Sequence, residues 1–555
     1  MPARRRESVW PLAEFVSGLR ARDIPAGVLH KARRQLASAV AAGLAARLDP
    51  GVQKVLASIR GRGTTASARL ITTGEPAGLH EAVLGNAAAS CAFDWDEILL
   101  LGHPSHSAVN VSLALAATLG LDLEAALTAQ VIANEVGGRF GLACFFGPQN
   151  GQHLPFLHHV SAAAAASRLL GLDVEHTAHA LAISLAQPQT ALWPAFLGAI
   201  ESKVLTAAHP AELGLAAAEH AAVGLRGPLH ILDHARGFFG RFAFLPARAA
   251  LGGLGHTWLT HTLQIKRHAA CWYFQAPLDA ARRLLRRTGP LRAADVRSVR
   301  CEATMLATAV HAMAARDRGA PLLPNTLNFR LDLSLAVLLL DGQLTPAELA
   351  PARLAAREKD LCRVAAATRI AHDPDHSRDT IAALHRAVNI AGLLGDAGPL
   401  DLLRAMARAR REFRGMPGPG GGELGRLSRF GLEAVQTLAR DRDPAYDFAT
   451  RADAVAALAL PCGGTVTVTL KDGSRFTETA RVPAGALVNP AAEKVVREKL
   501  DLGLTFAGVE AQRRTQVSAA LWEASPGQDV QRWLARFPGT PAEAETIGVE
   551  TVGTK

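Results

Sequence analysis

Lysine is scarce in this chain: of 60 basic residues in 555 only nine are lysine, against 51 arginines. Aromatics are scarce too, at 5%, so the scattered arginines have neither interleaved rings nor a basic block with which to grip nucleic acid. The net charge of +10 is read instead as a pull on small anions. Six cysteines, at Cys91, Cys144, Cys271, Cys301, Cys362 and Cys462, form no CxxC pair and no dense cluster. That excludes a disulfide framework and a thiolate zinc site, and fits a reducing compartment. No apolar signal segment follows the basic opening Met-Pro-Ala-Arg-Arg-Arg-Glu, and the uncharged run from Ser107 to Leu121 is too short to span a bilayer. A cytoplasmic, soluble protein without membrane contact is expected. Also missing are a Walker or Rossmann glycine pattern after a strand, a G-x-S-x-G elbow, HExxH or EF-hand spacing, and solenoid repeats.

What is abundant is alanine and leucine, within a hydrophobic share of 49% that can bury a large core in at least two domains. Leu12, Phe15, Val16 and Leu19 make one face of a first helix; Asp23-Ile24-Pro25 reads as the N-cap of a second, striped by Val28, Ala32, Leu36 and Val40. Ser107 to Gly120 and Val160 to Gly171 are apolar all round and end in Leu-Gly-Leu-Asp, which predicts interior helices closed by a left-handed glycine. Beyond about Ala269 the pattern turns to a smaller α+β unit, with strands at Val296–Ala303 and Thr465–Leu470 and an Asp472-Gly473 hairpin turn. Asp373 to about Leu460 reads as a helical insertion with a Pro/Gly hinge at Met416–Gly422, and residues past Thr540 as a loose tail.

Titratable side chains concentrate between Cys91 and Asn110, where Asp94, Asp96 and Glu97 are followed by His103 and His106. Asp94, Asp96, His103 and His106 are of the types that hold iron, manganese or zinc, though not at any established metal spacing. The plainer reading of Asp94 and Asp96 is helix capping. Lys203 and Lys266 stand out because they are the only lysines between Lys54 and Lys359. An ammonium is a compact charge whose pKa moves on burial, so it can hold a carboxylate or pass a proton where a guanidinium cannot.

Taken together, Asp94-Trp95-Asp96-Glu97-Ile98 with His103-Pro104-Ser105 resembles the Asp-x-Asp-Asp-Thr and His-Pro signature of the MmgE/PrpD family of methylcitrate dehydratases, cis-aconitate decarboxylases and iminodisuccinate epimerases. His153 ahead of the Ala162–Asp173 run, Ser202-Lys203-Val204-Leu205, Arg236-Gly237-Phe238-Phe239, the Lys266–Gln275 segment and Pro483-Ala484-Gly485 resemble later family motifs, in the same order. The resemblance implies a mostly α fold. Its large all-α domain begins with residues 1–268 and is rejoined by C-terminal helices at 487–540; a smaller α+β lid covers 269–486, with the insertion at about 373–460, and 541–555 is a tail. It further implies a homodimer with a site between the domains that needs no cofactor or metal.

Carried over residue by residue, Asp94, His103, His153, Lys203 and Lys266 line that site, with Lys203 and Lys266 as clamps for a small carboxylate substrate, His103 and His153 as acid and base, and Asp94 orienting an imidazole. Asp96, Glu97 and His106 then read as capping and support. Three substrate-facing positions depart from the family pattern: Ile98 replaces a threonine, Gln275 a histidine and Leu333 a tyrosine. The expected activity is a cofactor-free lyase or isomerase, of dehydratase, decarboxylase or epimerase type, that abstracts a proton next to a carboxylate. The alternatives are a catalytically altered homologue serving as a dimeric binding or assembly protein, and a metal hydrolase built on Asp94, Asp96, His103 and His106.

Overall fold

The computed structural model describes residues 8–536 except 61, 63, 101, 148–154, 190–191, 193–194, 196–199, 316–321, 396, 413–442, 444 and 523–526. The N-terminal half is a mass of helices: α1 (Val9–Gly18), α2 (Ala26–Ala45), α3 (Pro50–Arg60), α4 (Leu79–Cys91), α5 (Ser105–Thr118), α6 (Leu123–Ala143), α7 (Pro155–Leu169), α8 (Val174–Ala186) and α9 (Leu205–Ala222). Small residues let them close up. A Cβ on Gly214 of α9 would meet the His159 carbonyl oxygen of α7 at 2.3 Å, so these axes approach as closely as backbone permits. Both Leu-Gly-Leu-Asp segments do what their residues predict: Gly120 (φ +65°) and Gly171 (φ +68°) end α5 and α7, and the Asp122 and Asp173 carboxylates cap α6 and α8. Asp23 is not the cap of α2. It closes a single 3-10 turn, paired with Arg20 at 3.1 Å, and Pro25 with its preset φ opens the helix.

The later part of the chain builds a four-stranded sheet in the order β6 (Thr368–His372), β5 (Val296–Ala303), β7 (Gly464–Leu470), β8 (Arg475–Ala480). β5 runs parallel to β6 and antiparallel to β7, and β7 turns into β8 through Gly473 at φ +92°. Threonine hydroxyls pair across that hairpin, Thr465 with Thr479 and Thr467 with Thr477, both at 2.9 Å. The amphipathic α10 (Gln275–Thr288) covers the sheet, packing on β7, β8 and α11 (Leu331–Asp341), with α12 (Pro351–Ala366) beside α11. Within the expected insertion, helices Pro374–Val388, Ile390–Leu393 and Pro399–Glu412 are present; the Met416–Gly422 hinge lies outside the described residues. The fold is thus mostly α with a smaller α+β region.

The chain then comes back to its beginning. α13 (Ala492–Phe506) lies on α2, where a Cβ at Gly503 would meet the Ala41 Cα at 2.7 Å, and Arg34 grips Glu493 with two bonds of 3.0 and 3.1 Å. Among the described residues no helix is long and apolar enough to cross a membrane.

Candidate active site

Two three-residue strands assemble the site. β3 (Glu97–Leu99) pairs antiparallel with β4 (Leu263–Ile265), Glu97 facing Ile265, so the acidic stretch and Lys266 meet although they are far apart in sequence. The backbone around β3 is bent by two non-glycine residues in the left-handed region, Asp94 (φ +51°) and Leu100 (φ +52°). Such conformations cost about 1–3 kcal/mol each and persist only where the surroundings over-determine them. From the other side, Gly485 braces β4: its carbonyl accepts from the Ile265 N–H at 2.8 Å, and a Cβ at Gly485 would lie 1.7 Å from the Ile265 carbonyl oxygen. Gly485→Ala is therefore expected to destabilise the protein by about 1–3 kcal/mol; an unshifted urea midpoint would refute the idea that this contact seats β4.

The result is a buried ion cluster. The Lys266 ammonium sits 2.6 Å from Asp96 Oδ1 and 3.1 Å from Asp94 Oδ2, and Lys203 Nζ lies 3.3 Å from Asp94 Oδ1 and 4.7 Å over the Phe329 ring. Asp96 Oδ2 takes His103 Nδ1 at 2.6 Å and stands 3.4 Å from His106 Nε2. Behind them, His106 Nδ1 pairs with the Ser90 hydroxyl at 2.9 Å, which accepts from Asn110 Nδ2 at 3.0 Å. Burial alone would raise both carboxyls. The Lys203 and Lys266 ammoniums overcome it at Asp94, and Lys266 with His103 at Asp96, so both are held below the usual carboxylate range. Burial would likewise lower Lys266, but Asp94 and Asp96 lift it above its ordinary value. The Cys91 thiol beside them is pushed up to about 12 by burial, which disfavours a thiolate nucleophile.

A folded-state carboxylate below its unfolded value adds stability that is fully present above about pH 4 and is lost as pH falls through the folded value. Thermal melts between pH 6 and pH 2 are expected to fall more steeply for the wild-type protein than for Asp94→Asn; parallel curves would show that the cluster contributes nothing there.

Among the residues singled out from sequence, Asp94, His103, Lys203 and Lys266 come together. His153 lies outside the described residues. The imidazole partner is Asp96 rather than Asp94: the left-handed turn commits Asp94 to the two lysines, and Asp96, read from sequence as capping, is the hub. Ile98 is buried at the centre of β3 opposite Gln264, and Leu333 is buried in the first turn of α11. Gln275 spends its amide on backbone, donating at 3.0 Å to the His268 and Ala270 carbonyls and accepting from the His268 N–H at 3.0 Å. It braces the Lys266–Cys271 turn. Between Asp94 and Asp96, where a metal ion would sit, stands the Lys266 ammonium, and among the described residues no group of three or more His, Cys, Asp or Glu is placed to hold a metal.

One buried neighbour of the cluster escaped the sequence reading. Lys499 of α13 is buried with Nζ 3.5 Å from Glu97 Oε1 and 4.8 Å over the Trp95 ring, and donates to the Trp95 carbonyl. It is as rare a residue as Lys203, but it sits in Glu493-Lys494-Val495-Val496-Arg497-Glu498-Lys499, whose charges resemble a solvated helix face.

Two family models match the chain, the MmgE/PrpD N-terminal domain over residues 11–245 and the MmgE/PrpD C-terminal domain over residues 268–394. A cis-aconitate decarboxylase of Aspergillus terreus (strain NIH 2624 / FGSC A1156) is 26% identical over 318 residues, 54% of this chain and 64% of that protein. A cis-aconitate decarboxylase-like protein, oryM, of Aspergillus oryzae (strain ATCC 42149 / RIB 40) is 27% identical over 299 residues, 50% of this chain and 61% of that protein. The chain thus spans less than two thirds of the length of either relative. With both halves of the family pattern matched in order, the chain belongs to the MmgE/PrpD family.

Proposed function

We propose that this protein is a lyase or isomerase, of dehydratase, decarboxylase or epimerase type, that abstracts a proton next to a carboxylate of a small polycarboxylate. The observation that carries this reading is Asp96 bridging His103 and Lys266. Asp96 fixes the His103 ring through Nδ1, so the proton exchanged with a substrate travels on Nε2. The Lys203 and Lys266 ammoniums stand beside it to receive a substrate carboxylate and to stabilise the charge that develops when the α-proton leaves. Kinship with proteins named cis-aconitate decarboxylase supports the substrate class.

Incubation in D₂O with citrate-like, itaconate-like and amino-dicarboxylate compounds, followed by NMR, tests it: deuterium is expected at a carbon next to a carboxylate in at least one of them. Silence across the series would sink the reading and favour a non-catalytic homologue, for which the buried Ile98 and the backbone-bound Gln275 are the supporting observations. Lys203→Ala is expected to weaken binding of the responsive compound by about tenfold or more, since a charge-assisted hydrogen bond contributes about 1.5–3 kcal/mol. Unchanged affinity by calorimetry would remove Lys203 from the clamp.

A further inference from the structure

A pocket of about 280 Å³, lined by none of the cluster's charged residues, lies between Trp95, the turn after β4 and α13. Of its charged lining, Lys499 and Arg267 are 1% and 17% exposed, against 39% for Glu498 and 57% for Asp501. Arg267 lends one guanidinium nitrogen to Asp279 at 3.0 Å, but its buried Nε has no hydrogen-bond partner among the described residues. No carboxylate oxygen lies within salt-bridge distance of Arg282 among the described residues, and its guanidinium is held below its ordinary value by burial and then by the neighbouring Arg267. Lys499 is the third cation, drawn down to about 8 by burial against the pull of Glu97. Of the two acids of the lining, Asp501 holds Arg514 at 2.8 Å, while Glu498, 3.7 Å from Lys494, also offsets part of the Arg282 charge without reaching it.

Adjacent guanidiniums that repel each other, a buried donor with no acceptor among the described residues, a lining of three cations against two acids and a volume of metabolite size together suit a small anion. We propose that this pocket is a second binding site, separate from the Asp94–His103 cluster, for a small oxyanion such as a carboxylate or phosphate, held by Arg267 and Arg282 with Lys499 at its base. Through Lys499 it shares a wall with the cluster, because Glu97 and Asp96 are consecutive and meet different lysines.

Calorimetric titration with citrate and, separately, with inorganic phosphate tests this in the wild-type protein, Arg282→Glu, Arg282→Ala and Lys203→Ala. The expected result is saturable binding of at least one anion that Arg282→Glu weakens by about tenfold or more, Arg282→Ala weakens less, and Lys203→Ala leaves in place. Citrate binding more tightly than phosphate would assign the site to carboxylates, and the reverse order to phosphates. No saturable binding of either anion, or binding that survives Arg282→Glu and disappears in Lys203→Ala, would overturn the proposal; the second of these outcomes leaves the catalytic reading untouched.

Discussion

Asp96→Ala is expected to cost the fold about 3–5 kcal/mol, the range for removing one partner of a buried ion pair. Asp96 is 1% exposed, and three groups converge on it: the Lys266 ammonium at 2.6 Å, His103 Nδ1 at 2.6 Å and His106 Nε2 at 3.4 Å. Truncation removes the nearer of the two carboxylates that hold Lys266 and takes the Asp96 contact from both imidazoles, in a place where water cannot take over. Asp96→Asn keeps the shape and one acceptor oxygen and is expected to cost less, so the pair of variants separates charge from volume. Urea denaturation followed by circular dichroism reads both, and an Asp96→Ala protein within 1 kcal/mol of wild type would mean that the cluster is not the structural hub the geometry describes.

His103→Gln is expected to lower substrate proton exchange by about 10²–10⁴-fold, the usual contribution of a positioned general acid or base. Glutamine can still hydrogen-bond Asp96, so the ion cluster survives and stability should change little. Asp96 is spent on His103 Nδ1 and Lys266, so in the proposed reaction His103 moves the proton on its other nitrogen. Single-turnover exchange in D₂O, compared with the melting temperature of the same preparation, makes the test. A folded variant that exchanges at the wild-type rate would move the base elsewhere.

The helical half was legible in advance because its signals are local. Two Leu-Gly-Leu-Asp segments announce their glycine ends and aspartate caps, and the apolar runs of α5 and α7 are long enough to show their period. β3 and β4 were not legible. Glu-Ile-Leu and Leu-Gln-Ile are too short to alternate visibly, and they make sense only through a pairing between distant parts of the chain. For the site, rarity singled out Lys203 and Lys266, which the structure places buried against carboxylates, but residue type could not say which aspartate each would meet. That choice rests on Asp94 entering the left-handed region, which aspartate tolerates without advertising it. Lys499 was hidden for a related reason: the burial of a lysine on an amphipathic helix depends on which face docks on α2, a tertiary fact.

That docking has a consequence in time. Trp95 and Lys499 are 404 positions apart, and Glu97, fully buried, has no hydrogen-bond donor among the described residues, only the Lys499 ammonium 3.5 Å away. A ribosome adding about 5–20 residues per second needs roughly 20–80 s to supply that ammonium after the acidic stretch has emerged. Throughout that interval the helices around β3 can collapse, but Glu97 has no cation to accompany it into the interior. The floor of the site is thus among the last parts of the molecule to close, and a nascent chain interrupted before α13 would carry an unneutralised acid beneath the strand that holds Asp96 in register.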